Sequence, residues 1–169
     1  HRDRIGQEQP DGGRGQHDDC VIALALAVPA LLGGAADAAG GKNGVVMVKS
    51  KYGMEETIAR VKKDIADKGI TFFAEIDQSK LANAAGLKLR PTTLLIFGNP
   101  GLGGTFITAD QSAGLDWPVR LLVLQNEKGE VWTAWTDFEW IKNRHGITNR
   151  DKELAMATSV VQSITSTVR

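Results

Sequence analysis

The residues with the clearest capacity for chemistry are Asp77, Arg90, Gly98, Asn99, Gly103 and Asp116. Gly98-x-x-x-x-Gly103-Gly104-Thr105 follows the apolar run Thr92–Phe97 and has the spacing of a phosphate loop. Its lysine is missing, since Gly104 stands in that position, and nucleotide triphosphate binding loses its main charge partner. Backbone N–H groups of such a turn can still cradle a small anion as a nest. The plainer alternative is a tight turn that needs positive φ. Arg90, just before Pro91, is placed to clamp a carboxylate or phosphate, or to pair with Asp77, Asp116 or Glu75. Asp77 closes an apolar stretch, where it could act as an acid, bind a metal, or cap the following helix. Asp116, in Gly114-Leu115-Asp116-Trp117-Pro118, either hydrogen-bonds its own loop or lines a pocket. Together these residues predict a small-ligand site between the Gly98–Gly104 turn, Arg90, Asp77 and Asp116.

Composition narrows the chemistry further. The chain has 169 residues with 42% hydrophobic content, enough for one domain with a real core. Formal net charge is zero, and the weak basic excess after residue 38 is spread along the chain. That pattern gives no clustered basic patch and argues against a nucleic-acid partner. Cys20 is the only cysteine, so an intrachain disulfide and a cysteine metal cluster are excluded. Of His1, His17 and His145, only His145 falls in the predicted domain, leaving His-rich metal sites and Ser-His-Asp triads almost no material. His145 itself is expected to satisfy terminal carbonyls of a helix. No metal site and no cofactor are indicated.

The elements that must position these residues follow from periodicity. Gly44–Ser50 reads as a strand. Met54, Ile58, Val61 and Ile65 recur at helical spacing after Gly53, and Gly69 ends that helix. Ile70–Asp77 reads as a strand with Phe72, Ala74 and Ile76 on one face. Ser79–Ala85 reads as a short helix stopped by Gly86. Thr92–Phe97 is apolar without alternation, which predicts a central strand buried on both faces. Gly98–Trp117 reads as the longest irregular segment, with room for a short helix around Thr105–Gln111. Pro118–Gln125 and Glu130–Thr136 read as a hairpin turning at Gly129, with Trp132 and Trp135 on opposite faces. Asp137 caps a short helix closed by His145-Gly146. The last helix, 151–167, carries an apolar stripe of Leu154, Ala157, Val161, Ile164 and Val168. The order is β-α-β-α-β-(loop/helix)-β-β-α-α, a single α/β domain over residues 44–168.

Residues 1–19 are polar and read as a disordered leader. Cys20–Leu32 is apolar but short for a membrane span. With Ala36-Asp37-Ala38 as a small-x-small cleavage site, residues 20–38 read as a signal-peptide apolar region. Asp18 and Asp19 precede it where positive charge is usual. The expectation is a periplasmic or secreted domain with no stable membrane span after signal removal.

Several separated motifs resemble the domain-of-unknown-function 302 family: Arg90-Pro91-Thr92 with Leu94, Ile96 and Phe97-Gly98-Asn99-Pro100, then Gly114-Leu115-Asp116-Trp117-Pro118, and Arg144-His145-Gly146. Glu55-Glu56-Thr57 and Ile76-Asp77 match as well. The resemblance implies an α+β fold in which an antiparallel sheet of about five strands is backed by helices, similar to the TATA-binding protein, and it implies dimers. It implies no established activity, and the fold likeness imports no DNA binding. The sequence departs from the family pattern at Gln78, where members carry histidine, at Phe106-Ile107, and at Ser112, where they carry proline. Gln78 can hold a hydrogen bond but cannot titrate.

The leading functional expectation is therefore an exported, non-enzymatic module that binds or senses a small anionic ligand as a homodimer. One alternative is an enzyme using Asp77 or Asp116 as acid or base, with Arg90 orienting an anionic substrate. Another is a purely structural dimerisation domain.

Overall fold

Five short segments rich in β-branched and apolar residues form five strands. They join in one antiparallel sheet of order β1-β5-β4-β3-β2. The computed structural model describes residues 43–169. The predicted leader (1–19) and signal region (20–38) lie outside the described residues. The strands are β1 (Val45–Lys49), β2 (Thr71–Asp77), β3 (Thr92–Gly98), β4 (Val119–Gln125) and β5 (Val131–Thr136). The helices are α1 (Met54–Asp67), α2 (Gln78–Ala84), α3 (Pro100–Ala109), α4 (Phe138–Arg144) and α5 (Asp151–Ser166), with a 3-10 turn at Gln111–Leu115. The chain is a single α+β domain with a five-stranded antiparallel sheet, as expected.

One face of the sheet holds the core. Leu95, Phe97, Leu121 and Val123 meet Val61 and Ile65 of α1, and Val161 and Ile164 of α5, all at 1% exposure or less. The stripe expected on the last helix is buried in full, Val168 included. Each such side chain contributes about 1.5–3 kcal/mol on leaving water. That burial holds α5 in place despite its β-branched content. Thr57 is buried at the sheet side of α1 and pairs with Ser50, oxygen to oxygen 2.7 Å apart.

Three local expectations are corrected. First, the register slips between Phe72 and Ala74. Phe72 pairs with Phe97 on the core side, whereas Ala74 and Ile76 pair with Ile96 and Leu94 on the other side. The bulge defeats a strict period of two. Second, β3 is central but covered on one face only. Thr93, Leu95 and Phe97 are buried, while Thr92, Leu94 and Ile96 are half-buried. Third, the segment after Gly98 is not a loop. Asn99 accepts a hydrogen bond from the Leu102 backbone N–H at 3.1 Å, Pro100 occupies the first turn, and ten residues become helical. A capping asparagine followed by proline outweighs the helix-weakening glycines inside.

Candidate functional site

The strand register decides which of the expected site residues can meet. Asp77 pairs with Thr93, and Arg90 lies just before β3, so both stand at one end of that strand. Gly98 pairs with Thr71 at the opposite end, and Asn99 and Gly103 follow it. Asp116 leads into β4, whose Val119 pairs with Phe97, and so belongs to that second end. A seven-residue strand separates the two groups by roughly 20 Å. The expected shared site of all six is therefore not formed.

Each residue has a local task instead. Asp77 caps α2, accepting from Lys80 N–H at 2.8 Å and Ser79 Oγ at 2.7 Å. The Ser79 hydroxyl, and then the Lys80 amide, hold its carboxyl below the ordinary aspartate range. A carboxyl so held is poorly suited to donate protons near neutrality. Arg90 pairs with none of the expected acids. Its guanidinium lies 3.6 Å from Glu127 in the exposed hairpin turn. Gly98 and Gly103 do not adopt positive φ, and a Cβ at either would make only ordinary van der Waals contact. A Cβ on Gly103 would stand 3.6 Å from the Trp117 ring. With Gly101, Gly103 and Gly104 in helical backbone, the anion-cradling turn is absent.

Gly98 and Asn99 do line a cavity, with Leu102, Trp117, Ala157 and Val161 around it. Its volume is about 20 Å³, room for one water molecule. Trp117 is held between Phe106 and Phe138, with ring centroids at 4.6 and 5.4 Å and nearly parallel planes. The indole Nε1 of Trp117 is buried and has no hydrogen-bond partner among the described residues.

The densest polar constellation centres on Asp116, whose side chain is 3% exposed. Arg120 Nη2 donates to Oδ1 at 2.8 Å. Arg144 Nη1 reaches Oδ1 at 3.2 Å and Oδ2 at 3.1 Å. His145 Nε2 lies 2.6 Å from Oδ2. Its other ring nitrogen, Nδ1, lies 2.7 Å from Ser112 Oγ, which is itself 2.6 Å from Asp110 Oδ1. The His145 side chain thus bonds side chains across the fold, while its backbone N–H donates to the Ile141 carbonyl of its own helix at 3.1 Å. Asp116 follows the 3-10 turn, Arg120 sits on β4, and Arg144 and His145 end α4, so three elements converge.

A Ser-His-Asp row is present here after all, and its hydrogen-bond bookkeeping limits its chemistry. A carboxylate only accepts, and a serine hydroxyl has one proton. The Ser112 hydroxyl has two acceptors within reach, Asp110 Oδ1 and the ring of His145, and can donate to only one of them. When it donates to Asp110, its proton is not offered to the ring, as a nucleophilic serine would require. Asp116 is fully engaged by three partners, which counts against the acid–base role considered for it.

A wider groove of about 500 Å³ runs between α4 and α5, beside Asp137, Glu139 and Asp151. Lys142 bridges Glu139 and Asp151 there, and Asp151, then Glu139, raise its ammonium above the ordinary lysine value. Among the described residues, no group of three His, Cys, Asp or Glu could hold a metal ion. No helix among them is long and apolar enough to cross a membrane.

Comparison with known proteins adds three findings. The model of the family "Domain of unknown function DUF302" matches residues 46–165. The crystal structure of an uncharacterized conserved DUF302 protein from Bacillus stearothermophilus aligns with a TM-score of 0.69 at 17% identity, covering 75% of this chain and 98% of that one. Among curated proteins, the fluoride-specific ion channel FluC 1 of Brucella suis biovar 1 is 37% identical over 105 residues, 62% of this chain and 41% of that protein. FluC 2 of Brucella melitensis biotype 1 is 37% identical over the same length, covering 39% of that protein. The chain therefore spans about two fifths of the length of these curated relatives.

Proposed function

The chain belongs to the DUF302 family, and from that premise we propose that it is a non-enzymatic binding module, exported and assembled as a homodimer, that takes a small anionic ligand. The observation that carries this reading is the face of the sheet that the described residues leave uncovered. Ile76, Leu94, Leu122, Ala134 and Met47 pair in register and form one apolar row across all five strands. Met47 is 39% exposed, Ile76, Leu94 and Leu122 are half-buried, and the small Ala134 is buried among them; Ile96, Leu124 and Trp132, all half-buried, flank the row. The two long helices pack on the opposite face.

Such a surface is roughly 20 Å on a side, and monomeric proteins seldom leave so broad an apolar face to water. A second copy fits it best. Sheets pack face to face about 10 Å apart. A two-fold axis lying midway between the two sheets, over Leu122 of the middle strand β4, would set Leu122 against its own copy, the self-matching geometry of a symmetric dimer.

The anionic ligand is supported by the curated relatives, whose name is that of fluoride-specific channels, and by the guanidinium pair beside Asp116. Export is supported by the apolar segment and small-x-small site within residues 20–38. The engagement of Asp77 as a cap and of Asp116 by cations favours binding over acid–base chemistry.

Sedimentation velocity tests the assembly. The chain is expected to run at twice its monomer mass at micromolar concentration, and Leu122→Glu to run as a monomer with unchanged far-UV circular dichroism. A monomeric wild type, or a Leu122→Glu variant that stays dimeric, would reject the proposed interface.

A further inference from the structure

We infer that Arg120 and Arg144 together form a binding site for a small oxyanion, a carboxylate or a phosphate, with Asp116 as the buried post that holds both guanidiniums in place. The inference deepens the anionic-ligand reading above and rests on it. It gives that ligand a location none of Asp77, Arg90 or the Gly98–Gly104 segment provides.

Two guanidiniums share one carboxylate here. Both reach Asp116 Oδ1, Arg120 at 2.8 Å and Arg144 at 3.2 Å. Their two nitrogens therefore stand no further apart than the sum of those lengths. The carboxylate lies inside the fold, whereas the Arg120 and Arg144 side chains are 46% and 44% exposed. Among the described residues each arginine directs a single nitrogen to Asp116, and neither has another hydrogen-bond acceptor. The remaining N–H groups of both forks belong to side chains that are nearly half exposed.

Two arginines share the one buried carboxylate. His145 contributes its ring to Asp116, so one buried carboxylate faces two arginines and a histidine. Asp110 is the other acid of the cluster, and the Ser112 hydroxyl and amide occupy its Oδ1. Arg144 also lies near the face of Trp140, 5.6 Å from the ring centroid, which restrains the side chain further. Two forks already fixed lose little freedom on binding. A planar fork matches the paired oxygens of a carboxylate or phosphate better than a single halide. Arg120 pairs across the sheet with Ile96 on the uncovered face, so the site lies at the margin of the proposed dimer interface.

The test follows the arginine Nε–H signals of the full chain by ¹⁵N NMR during titration with sodium phosphate, sodium acetate or sodium fluoride, at ionic strength held constant with chloride. The expected result is a saturable shift of the Arg120 and Arg144 signals with phosphate or acetate, and none with chloride. The stronger of the two arms tells phosphate from carboxylate. Arg120→Lys and Arg144→Lys keep a cation on Asp116 and remove a fork. Each should weaken the response about tenfold while the chain still unfolds cooperatively. The site is rejected if no anion saturates, if chloride or fluoride alone reproduces the shift, or if both lysine variants bind as the wild type does. A dimer that shows no saturable shift would reject this site and leave the assembly reading standing. Saturable binding by a monomer would do the reverse.

Discussion

His145 Nε2 stands 2.6 Å from Asp116 Oδ2, and both side chains are almost wholly buried, at 4% and 3% exposure. This contact ties the end of α4 to the entry of β4. Removing the carboxylate strands a buried ring and two arginines. Breaking one side of a buried pair costs about 3–5 kcal/mol. The half-exposed arginines can turn to water, so Asp116→Ala should cost nearer 2–3 kcal/mol. Urea unfolding with a shared slope measures it. A loss below about 0.5 kcal/mol would show that the network contributes little.

Acid should loosen the same region through Asp110. The Ser112 hydroxyl, then the Ser112 amide, hold this carboxyl below the ordinary aspartate range, and the charge of His145 adds to the effect. A depressed native value means that the stabilisation is complete above the ordinary range and disappears as pH falls through the lowered one. The urea midpoint of the wild type should therefore fall between about pH 5 and pH 2 more steeply than that of Asp110→Asn. Parallel curves for the two proteins would contradict the assignment.

Asn99 separates a cap from a ligand-binding residue. Its side chain accepts from Leu102 N–H at the start of α3. Asn99→Ala should destabilise the domain by about 1 kcal/mol, and Asn99→Ser should recover most of that loss. Thermal unfolding without any added ligand suffices to see both effects. Equal losses in the two variants would mean the cap is not what the residue supplies.

Gly44 is required by what lies above it. Its φ is +71°, and a Cβ there would fall 2.3 Å from Trp140 Cγ. Its carbonyl also accepts from Asp137 N–H at 2.8 Å, the residue that caps α4. Gly44→Ala should cost about 2–4 kcal/mol from left-handed strain and overpacking combined. Adding Trp140→Ala should relieve the steric part and leave about 1 kcal/mol of backbone strain. A double variant no better than the single one would place the whole cost in the backbone.

Much of the architecture was legible in the sequence because it rests on local signals. The stripe Leu154-Ala157-Val161-Ile164 named a buried helix face, Gly69, Gly129 and Gly146 marked turns where positive φ occurs, and Asp137 announced a cap. Motifs spread over the chain named the family. Where sequence reading failed, the cause was non-local. The bulge at Phe72–Ala74 depends on the pairing with β3, and no period within β2 reports it. The glycines after Asn99 suggested a turn because their individual propensities are poor, yet one cap and packing against Trp117 carry the helix. The six expected site residues were grouped by closeness in sequence to β3, but an extended strand sends its two ends apart. Arg120, Arg144 and Ser112 were passed over as site residues because nothing in their spacing signals that β4, the end of α4 and the 3-10 turn converge on Asp116. Sequence alone determined the five strands, the helices outside Gly98–Trp117, their order and the family, since each is set by neighbours along the chain. Only the tertiary structure decided which charges share a site and which apolar face is left open, since both depend on residues brought together from distant parts of it.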